Sequence, residues 1–383
     1  MIGLPRLGIL AGRLRHKVGS TLGRPPVIPP ERIETRLAAE PWTIDTLAID
    51  HDRLQIAGWA LPPPEHPEKG RFLWNGRPFA EQVYPIARPD VDAFFPQRRG
   101  AAQSGFACTE RGGADDWFDD GCLHLRFEFD GQRLHYPFQH DWFYPDVSRY
   151  PALPDGERMA RVMGTISPTQ FLLGGFSDFN KFTRLLTAIG AGGLHDRRRV
   201  LDWGVGCGRV ARYFSAAPGI ELCGVDVDAD NIAWCSRNLP GEYRTVPLRP
   251  PAALDAASFD LIYGISVFTH LRERDQRAWL AELDRLAAPG AIILLSFHGT
   301  TAGNYAGLPW PALDAYLGAV ARDGFVVTSG NNQIRNFIDD PRYYVDVSHS
   351  TAYVRRVWGE YFDVIDIVPG MTSTQDLAVL RKR

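Results

Sequence analysis

Hydrophobic and polar positions follow two different rhythms along the chain, and the change between them falls near residue 150. From about 42 to 145, apolar and polar residues alternate in short runs: RLQIAGWAL, RFLWNG and LHLRFEF. A period of two places successive side chains on opposite faces of a strand, so these runs predict half-buried β-strands. Asn75-Gly76 and Asp130-Gly131 interrupt them with dipeptides that tight hairpin turns favour. No long helical-period stretch intervenes, and residues 42–150 are expected to form a small antiparallel sandwich. After a Pro-rich joint, Tyr150-Pro151-Ala152-Leu153-Pro154, the rhythm changes. The apolar runs RRVLDW, IELCGVDV, FDLIYGIS, AIILLSF, FDVIDIV and QDLAVLR alternate with helical stretches such as NIAWCSRNL and RDQRAWLAELDRLAA. Trp279, Leu283 and Leu286 share a face of the latter. That alternation predicts βαβ units and a parallel sheet over 155–383. Only PGMTST separates the last two runs, which predicts an antiparallel hairpin at the sheet edge. The joint at 150–154 predicts a boundary between halves that fold independently.

Composition narrows the function classes. The 383 residues carry 42 Lys plus Arg against 45 Asp plus Glu, a net charge of −3, so no global basic field holds a nucleic-acid backbone. Five cysteines without a CxxC spacing fit neither a zinc cluster nor a disulfide framework, and a reducing cytoplasm is expected. Residues 1–41 read as a basic leader and a Pro-rich linker (21–31, TLGRPPVIPPE). As a helix, the leader would place Leu7, Leu10, Leu14 and Val18 on one face. That suits peripheral contact with an inner-membrane surface or a partner; a frayed tail is the plainer alternative.

The chemistry concentrates at Val200-Leu201-Asp202-Trp203-Gly204-Val205-Gly206-Cys207-Gly208-Arg209-Val210. An apolar strand runs into a turn with three glycines, and a helix is expected to begin beyond it, its free N–H groups available to an acceptor. A dinucleotide fingerprint would need glycine at 209, where the chain has Arg209. Eighteen residues past Gly208 the next strand ends in Gly224-Val225-Asp226-Val227-Asp228, where an acid can take both hydroxyls of a ribose. Asp228 can equally cap the following helix.

LDWGVGCGR, the acid Asp226, SFDLIYGISVFTHL, LAAPGAIILLSF and QDLAVLRKR together resemble the motifs of the class I S-adenosylmethionine-dependent methyltransferases, over residues 155–383. The resemblance implies a Rossmann-like α/β fold: a seven-stranded mixed sheet with helices on both faces, here preceded by the all-β sandwich. It implies S-adenosylmethionine as cofactor. Asp202 with Gly204, Gly206 and Gly208 would cradle its methionine portion, Asp226 its ribose and Val227 its adenine, with Ile265 near the sulfonium. MGTISPTQFLLGGFSDF resembles a cap segment, from which Phe171 and Gly174 would close over the cofactor. Gly58-Trp59, Asn75-Gly76, Arg88-Pro89-Asp90-Val91 and Ser104-Gly105-Phe106 loosely resemble sandwich modules beside bacterial glycan-modifying enzymes. Trp59, Trp74, Trp117 and Trp142 could form a sugar-stacking surface, or simply the sandwich core.

Tyr263-Gly264-Ile265-Ser266 stands where exocyclic-amine methyltransferases carry an Asn/Asp-Pro-Pro-aromatic motif, which favours a hydroxyl on a small molecule or carbohydrate. A base assists an alcohol acceptor, and histidine titrates in the right range. The candidates are His270 after the fourth strand of the α/β sheet, His298 ending the fifth, and His349 in a stretch, DVSHSTAYV, that resembles a late active-site insertion. The polar-aromatic insertion at about 300–350, with Asn304, Tyr305, Arg335, Asp339, Tyr343 and Tyr344, reads as a substrate-side wall. Asp339-Asp340 has no companions at metal-ligand spacing, so no metal is assigned. A non-catalytic scaffold and a protein methyltransferase stay open as alternatives.

Overall fold

The computed structural model describes residues 42–383 except 62–69, 99, 114–115, 131, 133, 218, 331–339, 341–342 and 373. The leader and linker (1–41), Gly131, Arg335 and Asp339 lie outside the described residues. The first half contains β1 (Trp42–Ile49), β2 (Arg53–Ala60), β3 (Arg71–Trp74), β4 (Arg77–Pro78), β5 (Glu81–Ile86), α1 (Pro89–Phe94), β6 (Gly105–Arg111), β7 (Cys122–Glu128) and β8 (Trp142–Pro145). They form two antiparallel four-stranded sheets, ordered β1-β2-β6-β5 and β4-β3-β7-β8. Asn75 and Gly76 both take positive φ (44° and 76°) between β3 and β4, the geometry that favours Asn-Gly in a two-residue hairpin turn. Phe72 stacks on Phe106 at 4.1 Å inside the sandwich. Arg88 pairs with Asp45 of β1 at 2.7 Å and also donates to the Gly58 carbonyl of β2. The Arg88-Pro89-Asp90-Val91 motif is therefore a staple across this sheet. Trp59, Trp74 and Trp117 are buried and Trp142 is half-buried, so the core reading replaces the sugar-stacking surface for the first three.

The second half opens with α2 (Gly156–Met163) and α3 (Pro168–Ala188). The parallel strands follow: β9 (Arg199–Trp203), β10 (Glu221–Asp226), β11 (Glu242–Thr245), β12 (Phe259–Gly264) and β13 (Ala287–Phe297), with α4 (Ala229–Asn238) and α5 (Glu273–Leu286) between them. The insertion contains α6 (Thr300–Asn304), α7 (Ala312–Asp323) and a separate hairpin of β14 (Phe325–Gly330) and β15 (Val345–His349). After α8 (Thr351–Val357), β16 (Asp363–Thr372) and β17 (Gln375–Arg381) close the chain. The seven-stranded order is β11-β10-β9-β12-β13-β17-β16, with β17 antiparallel to both neighbours. The expected mixed sheet and edge hairpin are both present. Val200 faces a core with Phe182, Leu185 and Ile232 of α3 and α4, while Leu201 faces Trp279, Leu283 and Val354 of α5 and α8. Burial on both faces explains why these strands are continuously apolar.

The joint at 150–154 separates two sheet systems, yet apolar packing runs across it. Leu173 of α3 lies in the sandwich core, and Phe138 lies in the α/β core. Phe143 of β8 packs with Phe176 and Tyr213, and its N–H donates to Ser177 Oγ at 2.8 Å. Gln170 Nε2 donates to the Ile44 carbonyl at 2.5 Å, and Tyr136 O–H to Asp366 of β16 at 2.7 Å. Buried apolar groups make no distinction between halves: α3 contributes side chains to both cores, so we propose that the two halves unfold together rather than independently. Phe143→Ala should cost about 3–5 kcal/mol, typical for a buried aromatic truncation, and lower one common unfolding transition in calorimetry. Two transitions, with only one displaced, would show that the halves unfold separately.

Candidate active site

The chain reverses after β9 through Gly204, Gly206 and Gly208, with φ of 83°, 53° and 75°. An L side chain is strained there, and space is also lacking. A Cβ at Gly204 would lie 2.3 Å from Val267, one at Gly206 2.8 Å from Val162 of α2, and one at Gly208 2.2 Å from Leu239. The helix expected beyond the turn is a short 3₁₀ segment, Ala211–Ala216, rather than an α-helix. Docking of α3 on the turn accompanies this. A Cβ at Gly175 would meet the Arg209 carbonyl oxygen at 2.3 Å, and Arg209 pairs with Asp178 at 2.7 Å. Gly175, Asp178 and Arg209 were missed in sequence, because their roles arise from a contact between segments about 30 residues apart.

Asp226, at the end of β10, accepts the Gly206 N–H at 2.8 Å through Oδ2 and the Asp228 N–H at 2.9 Å through Oδ1. Each oxygen keeps a further lone pair for a donor. Withdrawal from water pushes this carboxyl up to about 6. Asp202 is buried, accepts the Tyr263 hydroxyl at 2.6 Å, and is raised by burial to about 7, with the Asp226 charge adding to the rise. Asp228 caps α4 through the N–H groups of Asp230 and Asn231 and receives Arg161 at 2.6 Å. The capping alternative is therefore what the structure displays for it. Val227 and Ile265 are half-buried beside the two faces of the sheet. Phe171 is fully enclosed with Met159 and Cys207, and Gly174 adjoins Met163 and Arg209. Phe171 supports the turn through packing, while Gly174 is half-buried.

Past β12, Ser266 takes φ of +60°, a conformation that needs compensation in a non-glycine residue. Its N–H donates to Ser296 Oγ at 2.8 Å, Ser296 Oγ–H to Gln375 Oε1 at 2.6 Å, and Gln375 Nε2 to Ser266 Oγ at 2.7 Å. Ser296 is fully buried, so its proton needs the Gln375 carbonyl oxygen, which fixes the orientation of that amide.

The three histidines occupy different environments. His270 is half-buried, sets Nδ1 3.0 Å from Asp346 Oδ1 and stacks on Tyr344 with centroids 4.3 Å apart. His298 lies 6.2 Å away, centroid to centroid, with Nδ1 3.2 Å from the Val347 carbonyl; burial lowers it to about 4. His349 is fully buried, boxed by Phe297, Phe325, Tyr353 and Trp358, with Nε2 3.0 Å from Gln276 Oε1; burial lowers it to about 3. The structure thus brings His270 and His298 together and encloses His349 as a core residue. In the insertion, Tyr305 packs on Phe95 at 5.7 Å, so the sandwich braces this wall. Asp340 pairs with Arg249 at 3.1 Å, and among the described residues no group of three or more His, Cys, Asp or Glu is placed to hold a metal.

Residues 201–293 match the family model of a methyltransferase domain. A 112-residue stretch is 28% identical to the cyclopropane-fatty-acyl-phospholipid synthase of Escherichia coli, covering 29% of each chain. The match therefore spans less than a third of that relative's length. Among solved structures, magnesium protoporphyrin IX methyltransferase of Synechocystis, with bound S-adenosylhomocysteine, aligns at 16% identity and a TM-score of 0.39 over 59% of this chain and 94% of its own. An N-methyltransferase of Bradyrhizobium japonicum aligns at 17% and 0.32, over 53% and 85%.

Asp202 gives a prediction that needs no ligand. Its folded-state value is raised above the unfolded one, so the protonated form stabilises the fold at low pH, and that stability is lost as pH rises through about 7. Asp202→Asn cannot ionise. Urea unfolding should show the variant gaining on the parent chain between pH 5 and pH 8 by about 1–4 kcal/mol, since each tenfold difference in proton affinity is worth about 1.4 kcal/mol. A gap that does not change with pH would mean that Asp202 stays ionised throughout.

Proposed function

We propose that this chain, whose α/β half belongs with the class I S-adenosylmethionine-dependent methyltransferases, transfers a methyl group to a hydroxyl on a small molecule or carbohydrate. One observation carries the reading. Asp226 is pinned by two backbone N–H groups at the mouth of the glycine turn, and both its oxygens keep lone pairs for the two hydroxyls of a ribose. The residues fit the cofactor: two carboxylates withdrawn from water beside a glycine turn suit a ligand rich in O–H and N–H donors. When bound, S-adenosylmethionine supplies an electrophilic methyl carbon on a sulfonium. Asp226 would hold the ribose, with Val227 beside the adenine and Ile265 near the sulfonium. Asp202 and Gly204, Gly206 and Gly208 would line the methionine side, with Gly174 of the cap segment closing over the cofactor and Phe171 supporting it through packing.

His270 would take the proton from the acceptor hydroxyl as its oxygen forms the new bond to carbon. Its partly exposed ring in the loop after β12, on the carboxyl edge of the sheet, supports this choice over the enclosed His349. The carbohydrate within that class draws on the sandwich likeness alone, since Trp59, Trp74 and Trp117 are committed to its core. A cytoplasmic location belongs to the same reading and rests on five free cysteines. No described helix is long and apolar enough to cross a membrane.

Calorimetry with S-adenosylhomocysteine should show binding, and Asp226→Ala should weaken it by about 1.5–3 kcal/mol, the worth of charge-assisted hydrogen bonds. Equal affinity in the two proteins would place the ribose elsewhere. Sugars, sugar nucleotides and other hydroxyl-bearing small molecules should be screened with methyl-labelled S-adenosylmethionine. On an acceptor so found, His270→Ala should reduce turnover about 10²–10⁴-fold with cofactor affinity kept, and the loss should shrink at high pH. Normal turnover would remove His270 from the chemistry.

A further inference from the structure

The hairpin of the insertion does more than border the site. Its strand β15 runs along the loop after β12: the Val345 N–H donates to the His270 carbonyl at 3.0 Å and the Val347 N–H to the Thr269 carbonyl at 2.9 Å. This register lays Asp346 against the His270 ring. A shift between Val327 and Ser329 sets Ser329 opposite Asp346, and its hydroxyl donates to Asp346 Oδ2 at 2.5 Å. A register shift of this kind re-aims a side chain. Asp346 Oδ1 then lies 3.0 Å from His270 Nδ1, while Tyr344 stacks on the ring and limits its rotation. The next residue repeats the arrangement with backbone: the Val347 carbonyl lies 3.2 Å from His298 Nδ1. A carbonyl can only accept, so His298 carries its proton on Nδ1. An ionised Asp346, already accepting from Ser329, requires the same of His270. The hydrogen bond at one ring nitrogen determines which nitrogen is left with the lone pair.

We infer that Asp346 is a positioning residue: it takes the Nδ1–H of His270, locks the ring's tautomer and orientation, and leaves the Nε2 lone pair free to receive the acceptor's proton. This rests on His270 being the base. Neither Asp346 nor Ser329 lies within the residues 201–293 that match the methyltransferase domain model, so this carboxylate is a contribution of the insertion.

The test uses the full chain with ¹⁵N-labelled histidine and needs no acceptor. Two-bond ¹H–¹⁵N correlation at pH 8 should show His270 and His298 both protonated on Nδ1. In Asp346→Ala, His270 should become a mixture of tautomers while His298, held by backbone, stays as it was. His270 protonated on Nε2 in the parent chain, or unmoved in Asp346→Ala, would overturn the inference. Should Ala also disturb His298, the hairpin itself has shifted, and the near-isosteric Asp346→Asn decides. A neutral amide oxygen accepts more weakly than a carboxylate, so the His270 Nδ1–H proton should move upfield, and an unmoved resonance overturns the assignment. If the tautomer results hold and His270→Ala turns over normally, the positioning contact is real and the assignment of the base is what fails.

Discussion

The site depends on one constraint: the chain must reverse direction within five residues of β9 and still leave its backbone facing outward. Three positive φ angles make the reversal, and β10 holds it in place. The Val225 carbonyl accepts the N–H groups of Gly204 and Val205 at 2.8 and 3.0 Å, and the Asp226 carboxylate accepts that of Gly206 at 2.8 Å. The acid proposed to hold the ribose is therefore also the clamp on the turn. Removing it would loosen the turn as well as any ligand contact. Val267 from the β12 loop, Val162 from α2 and Leu239 after α4 press on the three glycines from different sides. An added Cβ at any of them would displace a different element.

The same economy governs α3. Its Phe182, Leu185 and Leu186 serve the α/β core, its Leu173 serves the sandwich, and Gly175 with Asp178 fixes Arg209 of the turn. Lys181 is buried on this helix; it donates to the Met371 carbonyl at 3.3 Å and lies 5.7 Å from the Trp142 ring. Its charge is disfavoured by burial, which lowers its affinity for a proton. The first half thus reaches the glycine turn through one helix and the 300–350 insertion through Phe95 and Tyr305. It acts as a brace on two walls of the site, which accounts for its aromatic content without an exposed stacking surface.

What could be read in the sequence was what repeats locally. Continuous apolar runs gave the parallel strands, PGMTST the edge hairpin, Asn75-Gly76 the β3–β4 turn, and the three glycines the sharp reversal after β9. What could not be read depends on distance along the chain. Asp346 meets His270 across 76 positions, and Gln375 meets Ser266 across 109. No local pattern announces either pair. A tryptophan's position in a strand likewise indicates a face of the sheet but not whether another layer covers it. The joint at 150–154 has the composition of a linker, yet Phe138 and Leu173 cross it in opposite directions. Local composition marks a joint, and it carries no information on the packing that spans it.

The three histidines separate on a requirement that composition does not express. Each carries a ring nitrogen able to accept a proton, so residue type alone does not distinguish them. A base must also hold the resulting positive charge. His349 would hold it inside an aromatic box, and burial already lowers its affinity for a proton to about 3. His298 faces a backbone carbonyl and a second imidazole, and charge on His270 further opposes its protonation. Only His270 has a carboxylate at hydrogen-bond distance. In the proposed reaction the proton leaving the acceptor would therefore settle on His270 while His298 stays neutral. The selectivity comes from β15, which gives one ring a carboxylate and the next only a carbonyl.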